Sequence, residues 1–454
     1  MSKMSPQIVI CGAGMAGISA AYHLVKHRKK RVLILDQGQP LSLTSNKGTQ
    51  AYRNWWPGPD DTMVKFINHS IDLIAELAEK SNNHFGLNQR GYLFLTAQDS
   101  QINNWRKSAQ EISRLGAGEF REHFSLDNYL PTLTENFNKT LSGADLILDP
   151  EYLTKLYPFL TKDVKAALHI RRAGWMNSIK LGEWLKEEVE RCGGEFLLDK
   201  LESVEVINNK LVSIKLASGK VLEPESLVLA AGPHLKSVGD MLGLDLPVFN
   251  ELHGKITFPD TKKIFSANAP LMIWDDELYL PWTDEEKRLW ASNTSTNWLL
   301  DKFPSGVHLR PKGDSKNLEI MIIWTYEPHI EKDYQPIKFS PHYGEVLIRA
   351  ISRMIPEMSS YFDQGSKVYV DGGYYCKTVE NRPLIGPLPI SGVYIIGALS
   401  GYGIMSSQAA GELLASHVLG EKLPSYASMF LLERYQDPSY QQILKKLQEN
   451  IGQL

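Results

Sequence analysis

Ile8-Val9-Ile10-Cys11-Gly12-Ala13-Gly14-Met15-Ala16-Gly17 is the stretch that decides how this chain is read. An apolar run of strand type leads into Gly-x-Gly-x-x-Gly, and a helical pattern follows in Ile18, Ala21, Tyr22, Leu24 and Val25. A second apolar run, Val32-Leu33-Ile34-Leu35, ends in Asp36, nineteen residues after Gly17. Strand, glycine turn, helix, second strand and acidic end together predict a dinucleotide-binding βαβ unit. Gly12 permits the tight turn, Gly14 lets the backbone approach a pyrophosphate, and Gly17 lets helix and strand pack closely. Met15 and Ala16 open the helix whose free N–H groups face the phosphates. Asp36, with Gln37 beside it, is placed for a ribose hydroxyl pair, and its charge repels a 2′-phosphate. The alternative reading of the three glycines is a structural turn.

Composition narrows the class. With 454 residues and 43% hydrophobic content, the chain has core for two or three domains. A formal net charge of −3 gives no bulk recruitment of nucleic acid or anionic membrane. The one basic block, Lys26-His27-Arg28-Lys29-Lys30-Arg31, falls at the end of the first helix, where cations suit the dipole. The three cysteines, Cys11, Cys192 and Cys376, lack metal-type spacing, and their odd, sparse count points to a reducing compartment. No secretory signal is read, because the first apolar segment is a strand of the fold. No apolar run approaches the roughly 18 to 20 residues of a spanning helix. A soluble cytoplasmic protein is expected, with no metal, no nucleic-acid partner and no transmembrane segment.

Further along, residues 62–80 have helical spacing, 91–95 read as a strand and 101–116 as a polar surface helix. Residues 150–160 read as a short helix and turn. Residues 169–177 are extended and lead into a helix over 178–192, stopped by Gly193-Gly194. Short strands then alternate with turns at Asn208-Asn209 and Ser218-Gly219, up to the apolar run Leu227-Val228-Leu229-Ala230-Ala231-Gly232-Pro233. An antiparallel sheet is expected from strands at 271–274, 278–282, 306–310 and 318–325. Val393-Tyr394-Ile395-Ile396-Gly397-Ala398 is a buried strand, followed by a glycine-rich turn and a helix over 406–419. Gly397, Gly401 and Gly403 make this a second turn whose backbone can approach a ligand.

In these features the chain resembles the glycine oxidase, sarcosine oxidase and D-amino acid oxidase family of FAD-dependent amine oxidoreductases. The carriers are Gly12-Ala13-Gly14-Met15-Ala16-Gly17 with Asp36, then Leu229-Ala230-Ala231-Gly232-Pro233-His234, then Tyr375-Cys376-Lys377-Thr378-Val379-Glu380-Asn381-Arg382-Pro383-Leu384-Ile385-Gly386-Pro387, and the Gly401-Tyr402-Gly403 turn. The resemblance implies an α/β fold: a two-dinucleotide-binding, Rossmann-like FAD domain with a discontinuous antiparallel-sheet (α+β) substrate domain. The FAD domain is expected at 1–90, 155–235 and 370–454, and the substrate domain at 91–154 and 236–369. It also places the loop after the second strand against the flavin. The expected cofactor contacts therefore include Ser45, Asn46, Lys47 and Gly48, together with Val204, Ala231, Gly232, Tyr402, Ile404 and Met405.

The implied reaction is oxidation of a C–N bond: hydride passes from the carbon beside an uncharged amine to flavin N5, and the imine hydrolyses. Some relatives attach FAD through a cysteine whose position here is Gly373, so noncovalent FAD is expected. Sarcosine oxidases place an oxygen-activating lysine on a strand that here reads Leu318-Glu319-Ile320-Met321-Ile322-Ile323, without lysine. Oxygen or another acceptor, such as a quinone or an electron-transfer protein, therefore stays open, as does a flavoprotein without turnover. Arg53 is the candidate for gripping a substrate carboxylate, and Arg310 is a second. His308 and Arg310 alternate with Val307 and Leu309, so one side of a strand presents both. Tyr374, Tyr375 and Tyr402 are pocket candidates, and Trp55-Trp56 either walls the pocket or packs a rigid loop. His253 is read as structural and Arg382 as a loop anchor.

Overall fold

A computed structural model of the chain describes residues 6–28, 30–125, 129–131, 137, 141–365 and 368–449. The apolar runs that open the sequence are strands buried on both faces. Ile8–Cys11 lies between Val32–Asp36 and Ser226–Leu229, parallel to both. Val393–Gly397 continues the parallel order beyond Ser226–Leu229, and Glu195–Leu198 beyond Val32–Asp36. Leu384–Pro387 closes the six-stranded sheet as an antiparallel edge. Strands covered on both sides need no polar face, which is why they read as unbroken Ile, Val and Leu. The helices Met15–Arg28 and Gly403–Leu419 pack on one another over this sheet. The second of them begins three residues before the expected start. Leu201–Ile207, Lys210–Leu216 and Val221–Leu222 form the separate three-stranded meander.

A ten-stranded sheet makes the second layer system. Phe249–Pro259 pairs with Glu319–Ile323 on one side and with Tyr369–Lys377 on the other. Glu319–Ile323 pairs with Val307–Lys312, and the sheet continues through Leu271–Trp274, Tyr92–Thr96, Ala166–Ile170 and Ala144–Ile147 to Phe120–His123. Two departures from expectation stand out. The sheet is mixed, because Leu271–Trp274 runs parallel to Tyr92–Thr96, and Phe120–His123 parallel to Ala144–Ile147. Residues 278–282 form no strand, only a single bridge between Leu278 and Phe303. The alternation there is real, since Leu278, Leu280 and Trp282 are buried and Tyr279 is exposed. It records an extended segment lying on the apolar cluster of Leu299 and Phe303, with no partner strand beside it. Ala166–Ile170 pairs within this sheet although it falls inside 155–235. Among the described residues no helix is long and apolar enough to cross a membrane, and no group of His, Cys, Asp or Glu is placed to hold a metal ion.

Candidate active site

The glycine turn is as tight as its sequence demands. Gly12 has φ +122°, and a Cβ on it would lie 2.2 Å from the Ala230 carbonyl oxygen. A Cβ on Gly17 would lie 1.9 Å from the Gly12 oxygen. The Met15 N–H donates to Ser45 Oγ at 2.9 Å, and the Asp36 carboxylate accepts from the Ala13 and Gly38 N–H groups at 2.6 and 2.8 Å. A cleft runs from this turn to the second one. Gly14, Met15, Ala16, Ser45, Gly48, Gly232, Gly397, Gly401, Gly403 and Ile404 line it, joined by Ala51, Ala230, Tyr375 and Cys376. Met15–Arg28 and Gly403–Leu419 both begin at this cleft, so two positive dipole ends face it. Ala398 and Ser400 hold positive φ, 52° and 49°, at its wall. Small side chains, two helix starts and locally strained backbone fit a bound dinucleotide.

The ten-stranded sheet turns one face toward residues 46–51, and that loop divides the face in two. Arg310 Nε donates to the Thr49 carbonyl at 2.7 Å, and Lys255 Nζ to the Asn46 carbonyl at 2.9 Å. On one side of the loop lies an upper cavity of about 310 Å³. It holds Arg53, Trp56, Tyr92, Glu251, His253, His308, Tyr375, Lys377, Tyr402 and Met405. On the other side lies a lower cavity of about 720 Å³, which holds Arg90, Lys255, Arg310, Lys312 and Asp371. Strand alternation puts 251, 253, 255 and 257 on one face, as it does 308, 310 and 312. Two residues along a strand span about 7 Å, enough to pass from one cavity to the other. Ala51, Tyr375 and Gly401 line both the upper cavity and the dinucleotide cleft, so the two communicate.

The upper cavity is charged at fixed points. Arg53 is buried, and its Nε donates to the Trp55 carbonyl at 3.2 Å. Its guanidinium lies 5.4 Å from the Trp56 ring centroid and 5.8 Å from that of Tyr92. Burial lowers its pKa, and among the described residues no carboxylate pairs with it. Burial also pushes the His308 imidazole down to about 4, so it is neutral. Its Nδ1 lies 2.9 Å from the Gly306 carbonyl and must donate there, leaving Nε2 as an acceptor. Burial alone would raise the Glu251 carboxyl, but the His253 hydrogen bond and the Lys377 charge outweigh it and hold the pKa at about 2. Glu251 accepts from His253 Nε2 at 2.6 Å and from Lys377 Nζ at 3.1 Å.

Four of the five residues expected around the substrate thus converge: Arg53, His308, Tyr375 and Tyr402. Arg310 does not. It is on the same strand side as His308, as expected, but one repeat further on, beyond the loop. Asn46 and Lys47, expected at the cofactor, turn away from the cleft: Asn46 lines the lower cavity, and Lys47 pairs with Asp371 at 2.8 Å. Met405 and Tyr402 line the upper cavity rather than the cleft. Gln37 is exposed beside Asp36, Val204 packs against the apolar cluster of Leu35 and Leu229, and Ala231 flanks Gly232. Tyr374 points to the opposite side from Tyr375, toward Tyr334. Trp56 lines the cavity and Trp55 does not. Arg382 is an anchor as expected, paired with Asp60 at 2.8 Å. The sequence reading missed Glu251 and Lys377 and took His253 as structural. The spacing Glu251-x-His253 on an apolar strand was the available signal.

A family profile described as FAD dependent oxidoreductase (DAO) matches residues 7–417. Human mitochondrial dimethylglycine dehydrogenase is 21% identical over 437 residues, which cover 93% of this chain and 43% of that protein. The chain therefore spans less than half the length of that relative. Among solved structures, L-proline dehydrogenase from P. horikoshii superposes with a TM-score of 0.71 at 18% identity, covering 95% of this chain and 98% of the other. Glycine oxidase from Geobacillus kaustophilus gives 0.71 at 15% identity, covering 94% and 98%. The profile match, with a cleft whose walls suit a dinucleotide, shows that this chain belongs to the FAD-dependent oxidoreductase family.

Proposed function

We propose that the chain oxidises the C–N bond of a small or N-substituted amino acid, with FAD held noncovalently in the cleft and the amino acid in the upper cavity. The observation that carries this reading is Arg53, a buried guanidinium that faces the cavity and has no carboxylate partner among the described residues, Glu251 in the same cavity being engaged by His253 and Lys377. A buried cation without a counter-charge is costly, and a substrate carboxylate supplies that charge in bidentate form. Relatives named for dimethylglycine, proline and glycine support the class, since each of those molecules carries an amine and a carboxylate.

When bound in the cleft, FAD would supply the hydride acceptor. The chain's own part is to orient and to exclude water. Arg53 fixes the carboxylate, and Trp56, Tyr92 and Tyr402 form the apolar wall around it. His308 Nε2, neutral and bare, accepts a hydrogen bond from the amine and orients it. Glu251, ionised and held by Lys377 and His253, makes this part of the cavity wall polar without a net charge. Two features support noncovalent attachment. Burial pushes the Cys376 thiol up to about 12, so it is no nucleophile. A Cβ on Gly373 would lie 2.8 Å from Lys47 Cβ, which leaves no room for a cysteine.

The absence of lysine from Glu319–Ile323 favours an acceptor other than oxygen as the second reading. Anaerobic mixing with glycine, sarcosine, proline and other N-methyl or D- and L-amino acids, followed at the visible flavin band, tests the proposal. Bleaching by one class supports it, and slow recovery in air supports the dehydrogenase form. A flavin that no member bleaches counts against it.

A further inference from the structure

We propose that the lower cavity is a second ligand site, one that takes a small organic anion bearing carboxylate or phosphate groups. The argument starts from the buried arginines. Arg171, Arg349, Arg382 and Arg434 each have a carboxylate oxygen within 3.3 Å. Among the described residues Arg53 and Arg310 have none, although both are buried. One stands in each cavity. Arg53 is matched by the carboxylate of the proposed substrate. Arg310 calls for an anion of its own.

Arg310 is only 4% exposed. Its Nε donates to the Thr49 carbonyl and its Nη1 to the Pro311 carbonyl at 2.9 Å, both neutral acceptors. Burial brings its pKa down to about 10, so it stays charged at neutral pH. A charge in that position costs free energy until an anion approaches it. Arg90 lies against the same Trp175 indole, the two guanidiniums being 5.2 and 5.5 Å from its ring centroid. Arg90 Nε is buried without a hydrogen-bond partner. Lys255, 6% exposed, is the third donor. Its nearest carboxylate, Asp371, lies 3.9 Å away and is already engaged by Lys47 at 2.8 Å. Glu319 is likewise taken, by Lys312 at 2.8 Å. Two of the three acids in the lining are therefore engaged, the third, Glu183, is exposed to solvent, and the cationic excess is concentrated on Arg90, Lys255 and Arg310. A volume of about 720 Å³ is that of a small-molecule site. The loop of residues 46–51 separates it from the upper cavity, so both sites can be filled at once.

Isothermal titration of the FAD-loaded protein with citrate and with inorganic phosphate, at low ionic strength and with chloride as control, tests this. Saturable binding of one equivalent with Kd below about 1 mM is expected. The tighter of the two anions identifies the head group. Arg310→Gln and Lys255→Met each weaken binding at least about tenfold, and Arg53→Lys leaves it unchanged. The visible flavin band reports folding of every variant, and Arg90→Gln replaces Arg310→Gln if that variant loses its flavin. Failure of both anions to saturate, or equal affinity in the lower-cavity variants, overturns the proposal. So does loss of binding in Arg53→Lys alone, which would put the anion in the upper cavity.

Discussion

The imidazole of His253 lies flat against the phenol ring of Tyr375, with ring centroids 4.0 Å apart and planes 20° from parallel. Both edges of the imidazole are held, one by Glu251 and the other by the Thr325 hydroxyl at 2.7 Å. Tyr375 in turn stands where cleft and cavity meet, close to Gly48 and Gly401. A pinned histidine thereby fixes the wall between the dinucleotide and the proposed substrate. His253→Ala is expected to lower kcat/KM about tenfold while Asn or Gln, which keep a planar polar group, retain more. Stopped-flow reduction of the flavin by substrate measures it, and no difference between Ala and Gln would refute a positioning role.

Arg53→Gln removes the proposed carboxylate anchor. Truncating one partner of a buried charge pair costs about 2–5 kcal/mol, so the substrate Kd should rise by about 30-fold or more. Anaerobic titration of the flavin band gives this Kd directly. A Kd within threefold of the parent would place the carboxylate elsewhere.

The two tryptophans should separate. Trp56 lines the upper cavity, packs edge-on against Tyr402 at 4.8 Å and has a buried Nε1 without a partner. Trp55 is buried behind it. Trp56→Phe is expected to weaken substrate binding several-fold, and Trp55→Phe to lower the melting temperature without changing substrate Kd. Equal effects on binding would mean that the pair acts only as a packed unit.

His308 imposes a pH dependence on stability. Its folded pKa of about 4 lies below the ordinary 6.5. Between those values the unfolded chain binds a proton that the fold refuses, so stability falls as pH drops through that window. In His308→Asn the fall in melting temperature between pH 7 and pH 5 should be smaller than in the parent. Parallel curves would show that the imidazole is not buried neutral.

Flavin attachment has a direct assay. Acid precipitation should leave the yellow colour in the supernatant, whereas colour in the pellet would show a covalent link. Gly373→Ala should purify with a lower ratio of flavin to protein absorbance, because its Cβ pushes Lys47 and the loop that lines the cleft.

Much of this was legible along the chain. The strand, glycine turn and helix at residues 8–28 are local features, each dictated by residues within a few positions of one another. Strand alternation likewise placed His308 and Arg310 on one side. It went wrong at 278–282, where burial produced the same period as pairing, and the sequence reading left Glu251 and Lys377 unassigned and took His253 as structural. Those three meet because Phe249–Pro259 pairs with Tyr369–Lys377, more than a hundred residues away.

The order of residues by itself determined the dinucleotide fold, since Gly12, Gly14, Gly17 and Asp36 act through backbone conformation and short-range packing. Only the tertiary structure decided which side chains share a site. Residues 46–51 cross the face of a sheet assembled from distant strands, and the two hydrogen bonds from Lys255 and Arg310 to their carbonyls hold them there. That crossing sends His308 to one cavity and Arg310, two residues on, to the other.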